Sequence, residues 1–162
     1  MFSRRLIYVS TINLGLKKAQ SLQVLKFVKS LFSISKGENI FFKAFSLSQV
    51  PVSYKGYFKI SNKSLSRNRL INNLQMIFYL LNNKLVYKKD IIYSRDLLLL
   101  FVFALLGNTT IYEYHHPNPF VNSIIFKFYN YLPNTRLITI SKALKDHFMK
   151  NNCFYKKNIL VL

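Results

Sequence analysis

The stretch that decides the fold is residues 90–117, DIIYSRDLLLLFVFALLGNTTIYEYHHP. Its short apolar run at residues 90–93 contains β-branched and aromatic residues and predicts a strand. The longer apolar run at 96–106 predicts a helix, and Gly107 follows it, as glycine commonly follows a last helical turn. Residues 110–114 predict a second strand. Strand, helix and strand in this order predict a right-handed βαβ unit with parallel strands.

The same alternation continues on both sides of this unit. Further strands are predicted at residues 6–10, 39–46, 137–140 and 158–162, and further helices at 18–35, 67–83, 119–131 and 141–151. Residues 47–66 are predicted to be irregular. The helix at 67–83 is predicted to carry one apolar face, formed by Leu70, Leu74, Ile77, Leu80 and Leu81. The fold class is therefore α/β, a Rossmann-like three-layer domain with a mostly parallel sheet.

The charge balance leaves two explanations open. The chain has 162 residues, enough for one domain but short for two, with 24 Lys and Arg against 5 Asp and Glu, a net charge of +19. Such a charge is typical of proteins that bind nucleic acid or anionic membrane. Scattered lysines, abundant Asn, Ile and Phe and no Trp equally indicate translation of an AT-rich gene. Nucleic acid is the less expected partner, because stacking and recognition-helix motifs are lacking.

Several classes of site are not indicated. A single Cys153 cannot form an internal disulfide, and three histidines are too few for a convincing zinc site. The sequence has no glycine-rich dinucleotide or P-loop motif and no nucleophile elbow. It also lacks an Asp-x-Asp pair, so no metal is expected. The longest apolar run, residues 97–106, is too short to cross a bilayer.

Ionisable groups are concentrated after the strand at residues 110–114. Ligands in parallel α/β sheets bind outside the carboxyl ends of the strands, which makes this end a candidate site. His115 and His116 are candidates for a general base or a hydrogen-bond donor to substrate, and the alternative for each is an exposed loop histidine. Glu113 is either part of the site or the ion-pair partner of Arg95.

Two polar residues stand where predicted helices begin. Asp96 and Ser141 each follow a predicted strand, and both are expected to cap the helix that starts there by accepting backbone hydrogen bonds. The helix after Ser141 is also a candidate for binding an anion at its N-terminus.

Several segments, taken in order, resemble the N-terminal half of the family 4 glycosyltransferases, which have the GT-B fold. The segments are IYVSTIN at 7–13, DIIYSRD at 90–96, IYEYH at 111–115 and RLITIS at 136–141. The resemblance covers essentially the whole chain and is most specific at residues 90–148. It implies that residues 1–162 are the acceptor-side domain of such an enzyme, and that the C-terminal nucleotide-sugar-binding domain is absent.

The resemblance also implies an activity. Such enzymes transfer a sugar from a nucleotide-sugar donor to a glycan or lipid acceptor, with retention of configuration and without a metal or other cofactor. The expected setting is cell-envelope polysaccharide synthesis in the cytoplasm, at the inner face of the membrane. The chain alone is expected to be inactive. The alternatives are a non-catalytic basic module that binds anionic membrane or nucleic acid, and a subunit that needs a separate donor domain.

By the same resemblance, His115 is the catalytic residue near the donor sugar. Arg95, Glu113 and Ser141 match positions around the cleft, and His116 is assigned a supporting role. Asn13 is also assigned a substrate-binding or supporting role, in the turn after the first strand, where Asn-Leu-Gly-Leu replaces the family's glycine-rich turn.

Overall fold

The computed structural model describes residues 5–16, 18–38, 40–61, 64–114, 124–150 and 159–161. The strands are β1 Arg5–Ser10, β2 Phe41–Ser46, β3 Phe58–Ile60, β4 Ile91–Ser94, β5 Thr109–Tyr114, β6 Thr135–Thr139 and β7 Ile159–Val161. The α-helices are α1 Ala19–Gly37, α2 Arg69–Asn82, α3 Leu97–Leu105, α4 Ile124–Tyr131 and α5 Lys142–Lys150. A 3₁₀ helix, Val52–Tyr57, precedes β3.

The chain divides into two compact units, Met1–Ile91 and Ile92–Leu162. In the first unit, β2 lies between β1 and β3, and both pairings are parallel. Helix α1 packs on β2. Three consecutive residues of β1, Ile7, Tyr8 and Val9, are buried, as expected for a strand covered on both faces. The core of this unit includes Ile7, Val9, Val24, Leu25, Val28, Phe45, Met76 and Leu80.

In the second unit, β6 lies between β5 and β7, again with parallel pairing. Helix α3 packs on β5, α4 packs on α3, and α5 contacts β6 and β7. The core of this unit includes Leu99, Leu100, Phe103, Phe126, Tyr129 and Leu137. Parallel strands thus alternate with helices along the chain, which confirms the predicted α/β, Rossmann-like three-layer class with a mostly parallel sheet. No helix among the described residues is long and apolar enough to cross a bilayer.

Helix α3 begins and ends close to the predicted positions, but its start is built differently. Asp96 occupies the N-cap position, yet its carboxylate makes no capping hydrogen bond. Its backbone N–H instead donates to Ser94 Oγ at 3.2 Å. The prediction of a capping carboxylate was therefore wrong in its chemistry. Gly107 follows the helix at a φ of 88°, a left-handed conformation that glycine adopts without strain.

The region predicted to be irregular contains a strand. Within residues 47–66, the 3₁₀ helix leads into β3, whose Phe58 is buried and pairs with Ala44 of β2. A three-residue strand is too short to show a period in the sequence. Its conformation comes from pairing with β2, so local pattern alone could not predict it.

The predicted apolar face of α2 was wrong. Ile77 and Leu80 are buried, but Leu70, Leu74 and Leu81 lie on the exposed side of the helix. The buried side is completed instead by Asn72, Asn73 and Met76. Apolar residues occur around most of this helix, so their spacing did not determine which side would face the core.

Tyr129 provides a test of the packing between α4 and β5. Its hydroxyl lies 2.9 Å from Thr110 Oγ1, its side chain is fully buried, and burial raises the pKa of Tyr129 above the ordinary tyrosine value. Above about pH 10 the unfolded chain releases this proton while the folded chain keeps it, so this contribution to stability is lost as pH rises further. We expect Tyr129→Phe to flatten the alkaline fall in the urea midpoint.

The matched control for this measurement is Tyr131→Phe. Tyr131 belongs to the same helix and is 72% exposed. Its replacement should leave the alkaline fall unchanged, because this side chain is exposed to solvent and its hydroxyl is not buried on folding. Equal flattening in the two variants would contradict the assignment to Tyr129.

Candidate functional site

Arg95 and Glu113 form a buried ion pair in the second unit. Arg95 directly follows β4, and Glu113 is the penultimate residue of β5. Arg95 Nη2 donates to Glu113 Oε1 at 2.7 Å, and the two side chains are 8% and 3% exposed. This confirms the ion-pair interpretation of Glu113, which follows from the placement of both residues at carboxyl ends of parallel strands.

The pair limits what Glu113 can do chemically. A carboxylate that is held by a guanidinium and almost fully enclosed is poorly placed to take a proton from a substrate arriving from solvent. The ion pair instead fixes the position of the carboxyl end of β5, whose last residue is Tyr114. His115 and His116 come next in the sequence but lie outside the described residues, so their roles stay predictions.

Ser141 is placed as predicted, at the start of α5. Its Oγ accepts a hydrogen bond from the Leu144 N–H at 3.3 Å, and its carbonyl accepts one from the Lys145 N–H at 3.2 Å. These contacts confirm the N-cap interpretation. Anion binding at this helix start stays a prediction.

Asn13 shapes the loop that leaves β1 in the first unit. Its Oδ1 accepts a hydrogen bond from the Gly15 N–H at 3.0 Å, which is a local turn contact. Its carbonyl accepts a second bond, from Ser21 Oγ at 2.9 Å, which ties the loop to the first turn of α1. Asn13 as a whole is exposed to solvent at this turn.

Ser48, which sequence reasoning missed, joins the loops after β1 and β2. Its Oγ accepts a hydrogen bond from the Leu14 N–H at 3.1 Å and lies 3.2 Å from the carbonyl oxygens of Ile12 and Gln49. Ser46 Oγ donates to the Ser48 carbonyl at 2.9 Å. The only signal in the sequence is the pair of serines where the apolar run of β2 ends.

These two loops, together with Ser64 and Leu65 after β3, line a pocket of about 730 Å³ in the first unit. It lies past the carboxyl ends of β1 and β2, where parallel α/β sheets bind ligands. Among the described residues, those that line it are uncharged: Asn13, Gly15, Leu16, Ser48, Gln49, Ser64 and Leu65. Amide and hydroxyl groups beside a few apolar side chains suit a neutral ligand that carries hydroxyl groups better than they suit a phosphate.

Gly15 keeps this pocket open. A Cβ at this position would lie 3.3 Å from Asn13 Oδ1 and 3.6 Å from the Gln49 carbonyl oxygen. A larger side chain would therefore project among the lining groups. Glycine is favoured at this position because a side chain would fill the pocket. Its backbone conformation does not require glycine, since its φ lies outside the left-handed region.

Within the described ranges, no three His, Cys, Asp or Glu side chains are grouped so that they could hold a metal ion. Comparison of the sequence with protein-family models found no match, and comparison with curated proteins also found none. The geometry of the pocket and of the Arg95–Glu113 pair is therefore the basis for a functional interpretation.

Proposed function

We propose that this chain is the acceptor-side domain of a retaining, metal-independent glycosyltransferase that uses a nucleotide-sugar donor. The observation that carries the proposal is the pocket at the carboxyl ends of β1 and β2, whose described lining is uncharged and includes amide and hydroxyl side chains. Sugar hydroxyls both donate and accept hydrogen bonds, which matches a lining of side-chain amides and hydroxyls. The pocket would take the neutral sugar of a glycan or lipid-linked acceptor, in cell-envelope polysaccharide synthesis.

In this proposal the two units have different tasks. The first unit binds the acceptor through the loop that contains Asn13. In the second unit, the Arg95–Glu113 pair holds the end of β5, and His115 acts at the donor sugar. The nucleotide is bound by a second domain, encoded with this chain or as a separate subunit, and the chain alone does not turn over. The presence of a pocket at strand ends of a Rossmann-like domain supports this arrangement.

The proposal predicts that the chain binds neutral oligosaccharides. We expect saturation-transfer NMR to detect weak binding of neutral di- and trisaccharides, and Gly15→Leu to weaken it about tenfold or more, because the new side chain occupies the pocket. The matched control is Gly56→Leu. A Cβ at Gly56 meets nothing within 4 Å, and this residue does not line the pocket.

Four outcomes would contradict the proposal. Binding that survives Gly15→Leu would place the saccharide elsewhere, and equal loss in both glycine variants would indicate general damage. Absence of binding to any neutral saccharide would remove the basis for an acceptor site. Sugar transfer from a nucleotide-sugar that survives His115→Ala would contradict the role proposed for that residue.

A further inference from the structure

Helix α2 presents an apolar stripe on its exposed side. The five residues, here called the α2 stripe, are Leu70, Ile71, Leu74, Phe78 and Leu81, and they are 40–61% exposed. Their spacing of three and four residues places them on one side of a helix, over three turns. No charged side chain interrupts them. An exposed apolar surface of this extent is typical of an interaction site.

Hydrogen bonds hold the helix in this orientation. Asn72, on the buried side, accepts a bond from the Ser66 N–H at 2.8 Å and donates one to the Ser66 carbonyl at 3.0 Å. Asn73, also buried, donates to the Arg69 carbonyl at 2.9 Å. Turning the stripe inward would break the two Asn72 bonds and expose Met76 and Leu80. The contacts on the buried side of α2 therefore favour the exposed position of the stripe.

The surroundings of the stripe are cationic. Residues 39–89 contain nine Lys and Arg and no Asp or Glu. Arg67 and Arg69 lie at the start of α2, and Lys84, Lys88 and Lys89 follow its end, all of them exposed. An apolar helical face between clusters of basic side chains complements an anionic lipid surface, which offers acyl chains at the centre and phosphates at the rim. Two copies of a chain with charge +19 would instead repel each other.

We propose that the α2 stripe docks the chain onto an anionic lipid membrane. The helix lies in the plane of the interface, with Leu74 and Phe78 among the upper acyl segments. The basic residues before and after it contact the lipid phosphates. This inference rests on the stripe and its charges and does not depend on the proposed sugar transfer.

The test is co-sedimentation of the full chain with vesicles of phosphatidylcholine, with and without phosphatidylglycerol. We expect binding only to the anionic vesicles, and Leu74→Gln/Phe78→Gln to weaken it about tenfold or more through loss of apolar contact. The matched control is Ile124→Gln/Phe128→Gln on α4. Phe78 and Phe128 are 61% and 59% exposed, so both variants remove similar exposed apolar surface. Circular dichroism establishes that each variant is folded.

A fluorescent reporter gives a second measurement, because the chain contains no tryptophan. We expect the emission of Phe78→Trp to shift to shorter wavelength on anionic vesicles, and that of Phe128→Trp to stay unchanged. Equal shifts, equal losses in the two glutamine variants, or undiminished binding of the Leu74/Phe78 variant would overturn the proposal. So would equal binding to neutral vesicles, or a dimer in solution that Phe78→Gln dissociates.

Discussion

Replacing Arg95 by methionine is expected to lower the free energy of unfolding by about 3–5 kcal/mol, because it leaves a buried carboxylate without its cation. Glu113 is 3% exposed and accepts its bond from Arg95 at 2.7 Å. Water therefore cannot replace the guanidinium without opening the end of β5. The measurement is urea denaturation at neutral pH, with near-native circular dichroism as the check that the variant folds.

The double variant Arg95→Met/Glu113→Leu distinguishes the free-energy cost of an unpaired buried charge from the cost of losing the contact between the two side chains. Replacing both partners of a buried ion pair by apolar residues is often neutral or stabilising, so we expect the double variant to recover most of the loss. Lys127→Met, at an exposed position in the same unit, should change stability by no more than about 0.5 kcal/mol. A double variant less stable than Arg95→Met would show that the pair contributes through its shape rather than its charge.

The second large effect on stability is expected from removing the cation that pairs with Asp90. Asp90 is a buried residue at the C-terminal end of the first unit. Its carboxylate accepts bonds from Arg5 Nε at 2.7 Å and from the Tyr87 N–H at 2.7 Å, and it is also paired with Arg5 Nη2. The hydrogen bond with Asp90 raises the pKa of Arg5. Arg5→Met is expected to cost about 2–4 kcal/mol, less than Arg95→Met, because the Arg5 side chain is 18% exposed and partly screened by solvent.

Arg5→Lys tests whether the fork geometry matters as well as the charge. Lysine keeps the positive charge but cannot offer two parallel donors, and it also loses the planar group that lies 4.4 Å over the Tyr87 ring. We expect the urea midpoint of Arg5→Lys to lie between that of the wild type and that of Arg5→Met. Lys59→Met on β3, at an exposed position of the same unit, is the control. Equal losses for the lysine and methionine variants would assign the whole effect to geometry.

The parallel α/β class was predictable because the strands are continuous apolar runs and the helices between them end at identifiable residues. Gly107 is the best example, since the left-handed turn after α3 requires a residue such as glycine. The Arg95–Glu113 pair was predictable for a related reason. Both residues follow or end neighbouring strands, and parallel strands bring their carboxyl ends together.

The orientation of α2 and the role of Ser48 were not predictable from local pattern. Helix α2 is apolar on two sides, and on its buried side Asn72 accepts a hydrogen bond from the Ser66 N–H and donates one to the Ser66 carbonyl. Ser48 acts on Leu14, a residue 34 positions earlier in the chain. The bond between Ser48 and Leu14 depends on a tertiary contact, and neither this contact nor the polar residues on the buried side of α2 follow from the periodicity of the sequence.

Most of the carboxylates of this chain are in its interior. Asp90, Asp96 and Glu113 are buried, and of the five acidic residues only Glu38 and Asp146 are exposed. Lysine and arginine supply 24 positive charges and keep them in neutral and mildly alkaline solution. The surface therefore behaves as a polycation of nearly constant charge over this range. Dissolved salt, rather than acidity, is the variable that controls its attraction to any anionic partner.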